Sequence, residues 1–367
     1  MKYRNPLKRI LTETRSSWDH DGTRGVVRKV FATALQCRTA ELGAEVYSSD
    51  NQELIRYHTC KSRACTSCGH RASLQWRRER WAALPTQSHH GITFTMPDVL
   101  WPIFRDNPAL TKALPVLAAG VIQVRAAARH GLRVGVLAIL HTFNGKLEFN
   151  SHVHTMVTAG GLHDSSDLWV SSIPYESEAL MRSWQRAVIA ILRAAAQAGQ
   201  LVTRIPRGRF DELLCRQEKR WWSINIQSFE DKEHFLKYAG RYTRRPPIAE
   251  HRITLITDRT VAFWYKDKKL NRKVEVQCSK EEFVERWGQH IVERYRHSVR
   301  GFGLFAPRAI NQTTNAIFAV FGQQRRSRPK PLSWAWLIKH TFNSDPLLDR
   351  TGNRMKWVRR LSPKPIR

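Results

Sequence analysis

Two histidines, His152 and His154, stand one residue apart in NSHVHTMV, residues 150–157. Side chains alternate along a β-strand, so both imidazoles project from one face while Val153 points to the other. An imidazole without a partner is costly to bury in so apolar a run. Three neutral imidazoles, or two with a carboxylate, can hold a divalent ion and leave positions open for a substrate oxygen. The pattern predicts a metal-binding pair, against the plainer alternative of two histidines on a solvated face.

The third ligand has two candidates, His141 on the preceding apolar strand and Glu148. Asn-Gly at 144–145 separates the two β-like runs, which predicts a hairpin of antiparallel neighbours. A tight two-residue turn there would place His141 opposite Glu148, whereas a longer connection is needed to bring His141 beside His152. We favour His141 as the third ligand and keep Glu148 as the alternative.

A second group of reactive side chains lies in KYAGRYTRR, residues 237–245. Tyr238 and Tyr242 are four residues apart, so both hydroxyls would lie on one face of a helix that begins near Asp231. The plain interpretation is two aromatic rings packed on the core, but three cationic side chains share the stretch: Arg241, Arg244 and Arg245. A phenol can attack phosphorus if a metal polarises the phosphate and cations stabilise the developing charge. The product would be a phosphotyrosine ester that conserves the energy of the broken DNA bond.

Cysteines are concentrated near the N-terminus, in the pattern Cys60-x4-Cys65-x2-Cys68. Six unevenly placed cysteines favour thiols or a metal over disulfides. Two thiolates at the spacing of Cys65 and Cys68 can bind one ion, which predicts a zinc site. The candidates for a fourth ligand are Cys37, His58 and His70, and free thiols in a degenerate module are the alternative.

The composition indicates a folded protein that binds a polyanion. Of 367 residues, 42% are hydrophobic, and 61 Lys and Arg stand against 31 Asp and Glu, which gives a formal net charge of +30. Such an excess of positive charge favours nucleic acid as partner. We expect no membrane span, because we find no apolar run near the roughly 18–20 residues required, and no signal peptide at the N-terminus. The expected location is the cytoplasm.

Hydrophobic periodicity predicts an α+β fold. Residues 89–245 follow the order strand, helix, strand, strand, helix, strand, helix, typical of an antiparallel sheet covered by helices. The region before residue 89 ends in a predicted basic helix, SLQWRRERWAAL. A strand pair around Asp258-Arg259 and a helix capped by Ser279 come after them. We divide the chain into a basic, zinc-finger-like module (1–84), a catalytic domain (85–250) and a basic C-terminal DNA-binding region (251–367).

The chain resembles the two-tyrosine HUH transposases of the insertion sequence 91 family. Beyond His-x-His and Tyr-x-x-x-Tyr, blocks in the same order carry the resemblance over about residues 30–308: CRTAELG, CKSRACTSC, HHGITFTMPDVL, LHTFNGKLEFNSHVHTMVTAGGL, FLKYAGRYTRRPPI and FVERWGQHIVERYRHSVRGFGLFAP. The resemblance implies an HUH endonuclease fold, with the metal pair on a central strand of an antiparallel sheet. It also implies metal ligands at His152 and His154 and nucleophiles at Tyr238 and Tyr242. His141 matches the family's histidine in Leu-His-Thr, and related relaxases use a third histidine at this same distance before the pair.

The implied activity is rolling-circle transposition. The enzyme would nick single-stranded DNA at an element end through a 5′-phosphotyrosine link and join that end to target DNA. It would use Mg²⁺ or Mn²⁺ and no nucleotide cofactor, and the oligomeric state is left open. A bacterial, nucleoid-associated location follows.

The sequence departs from the family pattern in three places. The usual Cys-x-x-Cys before CKSRACTSC is absent, His-Cys-Pro in that block is Ala-Cys-Thr at 64–66, and Asn-Gly replaces Gly-Gln after His-Thr-Phe. The degraded cysteine block keeps a non-catalytic DNA-binding relative open as an alternative. A replication initiator or relaxase-type nickase would use the same chemistry, and an RNA-binding module would also explain the charge. The last gives no reason for the tyrosine pair.

Overall fold

The computed structural model describes residues 5–164, 168–240, 243, 246–267, 270–293, 298–307 and 310–364. Its helices are α1 Pro6–Glu13, α2 Arg15–Trp18, α3 Gly25–Gln36, α4 Thr66–Ala83, α5 Trp101–Asp106, α6 Pro108–His130, α7 Ser177–Gln197, α8 Arg207–Lys219, α9 Lys232–Ala239, α10 Lys280–Gln289, α11 Ile310–Val320 and α12 Trp334–Phe342. Its strands are β1 Ala44–Ser48, β2 Glu53–Tyr57, β3 His89–Phe94, β4 Leu132–Arg133, β5 Gly135–Phe143, β6 Phe149–Thr158, β7 Gly161–His163, β8 Trp169–Val170, β9 Ile224–Phe229, β10 Ile253–Ile256, β11 Thr260–Lys266, β12 Lys273–Ser279, β13 Val299–Gly303 and β14 Lys356–Leu361.

A five-stranded antiparallel sheet of order β13-β5-β6-β3-β9 is the centre of the fold. Its inner strands are continuous apolar runs because both faces are covered. On one face Phe94, Val136 and Val153 are fully buried against α5, α6, α7 and α8. On the other, Ile139 and Met156 pack with residues of α4, α9 and α11. The predicted α+β architecture, with helices over an antiparallel sheet, is confirmed.

The connection between β5 and β6 is longer than a two-residue turn. The strands pair up to Phe143 and Phe149, which leaves residues 144–148 as the loop. The Asn144 side chain closes it, since Oδ1 accepts from the backbone N–H groups of residues 146 and 148, at 2.8 and 3.1 Å. Leu147 takes a left-handed φ of 62° and is fully buried. The predicted hairpin is confirmed, with the longer of the two connections considered.

Helix α6 corrects an expectation about apolar runs. Its segment Pro108–Ala128 is long and apolar enough to cross a membrane, judged by length and composition, so our finding of no such run was wrong. In the fold, Leu114, Ala118 and Ile122 are fully buried against the sheet and α7. This spacing of four residues forms an apolar stripe along one side of the helix. The stripe makes α6 a core helix of the sheet.

The N-terminal and C-terminal regions of the chain pack on each other. Strand β14 pairs with β1 in the three-stranded sheet β14-β1-β2, and β10, β11 and β12 form a second such sheet. A separate core joins α1 and α3 to that second sheet and α10, through Phe31 and Trp287, whose ring centroids are 4.9 Å apart. Ser279 caps α10, as predicted, by accepting from the Glu282 N–H at 3.0 Å. Our division at residues 84 and 250 stays a prediction.

Candidate functional site

Three histidines meet on the face of the central sheet that α4 and α9 cover. His141 of β5 is the direct cross-strand neighbour of His152 of β6, and His154 follows two residues later. One ring nitrogen from each lies within 4.8 Å of the other two, and His141 Nδ1 is 3.3 Å from His152 Nε2. The register set by the 144–148 loop therefore places His141 at the pair.

Two oxygens hold the rings of the β6 histidines. The Asn150 carbonyl accepts from His152 Nδ1 at 2.8 Å, which leaves the lone pair of this ring on Nε2, the atom that faces His141. The hydroxyl of Thr93, on the neighbouring strand β3, lies 3.0 Å from His154 Nδ1. Such bonds to the outer nitrogen fix a ring's orientation at metal sites.

The donor set of this cluster fits a divalent ion. Burial, together with the neighbouring imidazoles, holds the pKa of His141 well below its usual range, so the ring is neutral, as a ligand must be. Glu148, the alternative ligand, instead accepts from Asn144 Nδ2 at 2.9 Å. Among the described residues the ligand group comprises the three histidines without a carboxylate.

Tyr238 lies above the cluster on α9, which starts at its N-cap Asp231 and ends at Ala239. The centroid of its ring is 6.3 Å from that of His154 and 5.1 Å from that of Phe229. Gly91 of β3 permits this approach, because a Cβ there would lie 3.3 Å from a Tyr238 ring carbon. The tyrosine is mostly buried, with 9% of its surface exposed.

Four predicted residues lie outside the described part of the chain, namely Arg241, Tyr242, Arg244 and Arg245. The described helix ends before them, so the shared helical face of the two tyrosines stays a prediction.

A cavity of about 550 Å³ opens beside His141. Cationic side chains from five separate segments line it: Arg24, Arg63, Arg105, Lys112 and Arg300. Phe143 and Phe149 add apolar surface to its wall. The combination suits a chain with negative charges and flat apolar rings.

Four cysteines form a second cluster. Cys37 follows α3, Cys60 lies in the loop after β2, and Cys65 and Cys68 stand at the start of α4. Sulfur–sulfur distances are 3.8 Å from Cys37 to Cys65 and to Cys68, and 3.7 Å from Cys60 to Cys68. Zinc–sulfur bonds of 2.3 Å in a tetrahedron give an edge of about 3.8 Å. The four sulfurs have the spacing of a structural zinc site.

Cys37 is the fourth member of this cluster, rather than either histidine considered. His58 is turned away to Glu45 Oε1, at 3.1 Å, and to the Leu42 carbonyl, at 2.9 Å. Hydrogen bonds from the other three thiols lower the pKa of Cys37, which favours the thiolate that a metal requires.

Comparison with known proteins identifies the chain. Residues 9–96 match the family described as "Transposase zinc-binding domain", and residues 135–313 match the one described as "Putative transposase". The "Transposase for insertion sequence element IS801" of Pseudomonas savastanoi pv. phaseolicola is 31% identical over 93% of this chain and 86% of its own length. "Putative transposase y4qJ" of Sinorhizobium fredii is 29% identical over 77% of this chain and 75% of its own length. No solved structure matches the chain.

The site and these matches define a transposase that carries a four-cysteine zinc-binding domain and a histidine cluster. The chain belongs to the insertion sequence 91 family, with the IS801 transposase among its relatives. DNA is therefore its partner, as the net charge of +30 indicated.

Sequence reasoning missed the residues that support the site. Thr93 orients His154, Ser73 of α4 binds the C-terminal end of α9, and Lys232 at the start of α9 binds the end of α4. Each contact joins segments that are 61 or more residues apart. No local pattern in the sequence marks such partners.

Proposed function

We propose that this transposase is an HUH endonuclease that nicks and rejoins single-stranded DNA at element ends, as in rolling-circle transposition. The observation that carries the proposal is the convergence of three histidines on one sheet face with the Tyr238 ring 6.3 Å from His154. In the nick, the phenolic oxygen bonds to phosphorus as the bond from phosphorus to the 3′ oxygen breaks. The phenol loses its proton, and the departing 3′ oxygen gains one. The 5′-phosphate then remains on the tyrosine.

The histidine cluster would hold Mg²⁺ or Mn²⁺. Bound there, the ion would polarise the scissile phosphate and offset its charge. The protein's own contribution is orientation, because Thr93 and the Asn150 carbonyl fix the rings and Gly91 admits the tyrosine. Preorganised groups of this kind lower the barrier without rearranging during the reaction.

The cationic cavity beside His141 would receive the DNA strand. Lys112 and Arg300 would contact phosphates, and Phe143 and Phe149 offer surfaces for bases. Rejoining reverses the nick, when a 3′ hydroxyl of target DNA attacks the phosphotyrosine and frees the phenol. This exchange conserves the ester bond, so no nucleotide cofactor is required. We propose Tyr242 as the second nucleophile, and the bacterial nucleoid in the cytoplasm as the place of action.

Covalent capture tests the proposal. A labelled single-stranded oligonucleotide that bears the element end is incubated with protein and Mn²⁺ and analysed on a denaturing gel. The wild type should retain label, and the Tyr238→Phe/Tyr242→Phe double variant should retain none. Tyr57→Phe is the matched control, because this tyrosine is exposed on β2, in the sheet β14-β1-β2 rather than in the central sheet. Absence of an adduct with the wild type, or an unchanged adduct in the double variant, overturns the proposal.

A second variant separates chemistry from binding. His152→Ala should abolish the adduct while DNA affinity changes less than about twofold, because cationic contacts to phosphates dominate affinity. Equal loss of binding and cleavage would assign His152 to DNA contact instead.

A further inference from the structure

Helix α4 connects the cysteine cluster to the helix that carries Tyr238. Cys65 is its N-cap residue and Cys68 lies in its first turn. Farther along, Trp76 packs in the same core cluster as Phe235 and Leu236 of α9. One rigid element thus belongs to both the zinc-binding domain and the wall of the proposed active site.

Ser73 binds the C-terminal end of α9. Its hydroxyl donates to the Gly240 carbonyl at 2.6 Å, and the bond is buried. Gly240 is the C-cap of α9 and follows Tyr238 by two residues. A Cβ at Gly240 would lie 2.5 Å from Arg77 Cδ, so a larger residue there would have to displace the Arg77 side chain of α4. Ser73 follows Cys68 by five residues, about 7.5 Å along a helix.

Lys232 attaches the N-terminal end of α9 to α4. It is the first residue of α9 and is 7% exposed, and its Nζ donates to the carbonyls of Trp81 and Leu84 at 3.0 and 2.7 Å. These are carbonyls at the C-terminus of α4, which lack partners within the helix. The ammonium also stands 4.6 Å above the Trp81 ring and complements the negative end of the helix dipole.

We propose that the zinc-binding domain positions the nucleophile, with α4 holding α9 at both ends and Ser73 and Lys232 as the positioning residues. The inference rests on the proposed role of Tyr238 and adds a function to a domain expected to bind DNA. Folding of the cysteine cluster fixes the start of α4. The hydrogen bonds of Ser73 and Lys232 then hold α9, and with it Tyr238, in a fixed position against α4. Misplacement of a reacting group by about 1 Å can cost on the order of a hundredfold in rate.

Hydrogen exchange tests these contacts between α4 and α9 without any DNA cleavage. The full-length, zinc-loaded protein is compared with Ser73→Ala and with Cys65→Ser. Amides of residues 232–240 should exchange at least tenfold faster in both variants, while those of α7 stay as in the wild type, since α7 lies on the opposite face of the sheet. Ser73→Ala keeps its zinc, so it tests the contact even if Cys65→Ser does not fold. Unchanged exchange of residues 232–240 in Ser73→Ala overturns the proposal.

Single-turnover kinetics test the consequence for the tyrosine. Ser73→Ala and Lys232→Met should each slow adduct formation at least fivefold, with less than a twofold change in DNA dissociation constant and in Mn²⁺ affinity. Ser183→Ala and Lys280→Met are matched controls, because Ser183 donates to the Ala179 carbonyl on α7, and Lys280 donates to the Asp258 carbonyl and pairs with Glu13 in a separate core from α9. Rates equal to those of the controls, or losses of DNA affinity equal to the losses of rate, overturn the proposal. An absent adduct in the wild type instead contradicts the proposed function, which the exchange experiment does not require.

Discussion

Thr93 controls the direction of one imidazole through a single hydroxyl. The side chain contributes Oγ1 at 3.0 Å from His154 Nδ1, and removing such an outer partner typically costs ten- to a hundredfold in metal affinity. Thr93→Val keeps the shape and deletes the hydroxyl, so Mn²⁺ affinity and adduct rate should fall together while DNA affinity holds. Titration with Mn²⁺ measures the first. Thr155→Val, which loses a hydroxyl bond to the Ile92 carbonyl, should retain Mn²⁺ affinity. Equal Mn²⁺ affinities in the two variants contradict this role for Thr93.

His89 gives the fold a predictable sensitivity to acid. The ring is fully buried, stacks on Phe235 at 4.0 Å, and burial lowers its pKa to about 3. In the unfolded chain the histidine pKa is near 6.5, so at a pH between about 3 and 6.5 the unfolded protein binds one more proton than the folded protein. Stability is therefore lost as the pH falls from 6.5 towards 3, by about 1.4 kcal/mol per pH unit.

His89→Phe should flatten that dependence. Urea unfolding at pH 7 and pH 5 should show a smaller loss of unfolding free energy than in the wild type, by about 2 kcal/mol. His20→Phe alters an exposed histidine and should follow the wild type. The same acid dependence in His89→Phe would contradict a buried, neutral His89.

At the level of elements, periodicity predicted most of the sheet and its helices, but not the exact pairing of the histidines. Alternating and continuous apolar runs identify β3, β5, β6 and β9, because burial on one or both faces dictates them. The His141–His152 pairing depends on side-chain bonds of Asn144 and on the left-handed Leu147, which Asn-Gly alone does not specify. The N-terminal helices α1 and α3 escaped prediction, since their partners lie more than 200 residues away on α10 and its sheet.

Asn144 is the residue on which that connection depends. Its side chain makes three hydrogen bonds inside the 144–148 loop. Asn144→Ala should lower the unfolding free energy by roughly 1–3 kcal/mol and weaken Mn²⁺ binding, because His141 loses its fixed position beside His152. Denaturant unfolding and Mn²⁺ titration measure the two effects. Asn51→Ala, at an exposed site, should change stability by less than about 0.5 kcal/mol. A stable variant with normal Mn²⁺ affinity would show that the register does not need Asn144.

In the whole molecule, the C-terminal strand β14 packs on the zinc-binding domain. Strand β14 pairs with β1, and Glu45 of β1 accepts from Trp357 Nε1 at 2.6 Å and from Arg360 Nε at 2.9 Å. The hydrogen bond from Trp357, with smaller contributions from His58 and Arg360, lowers the pKa of Glu45 to about 2. The basic composition of the C-terminal tail predicts that it binds DNA. Its contacts with Glu45, some 300 residues earlier, could not be predicted, because no local sequence pattern marks such distant partners.

Single-stranded DNA should contact the excess positive charge of the protein chiefly in the cavity beside His141. Each phosphate contact to a single strand contributes a slope of about −0.7 to the dependence of log affinity on log salt concentration. Lys112→Ala/Arg300→Ala should therefore weaken binding of single-stranded DNA and reduce the magnitude of that slope by about 1.4. Arg207→Ala/Arg209→Ala removes the same charge from exposed positions on α8, beyond the opposite face of the sheet, and should leave the slope nearly unchanged. Fluorescence anisotropy over a salt series measures both. Equal slopes for the two double variants would mean that net charge alone, rather than this cavity, attracts the strand.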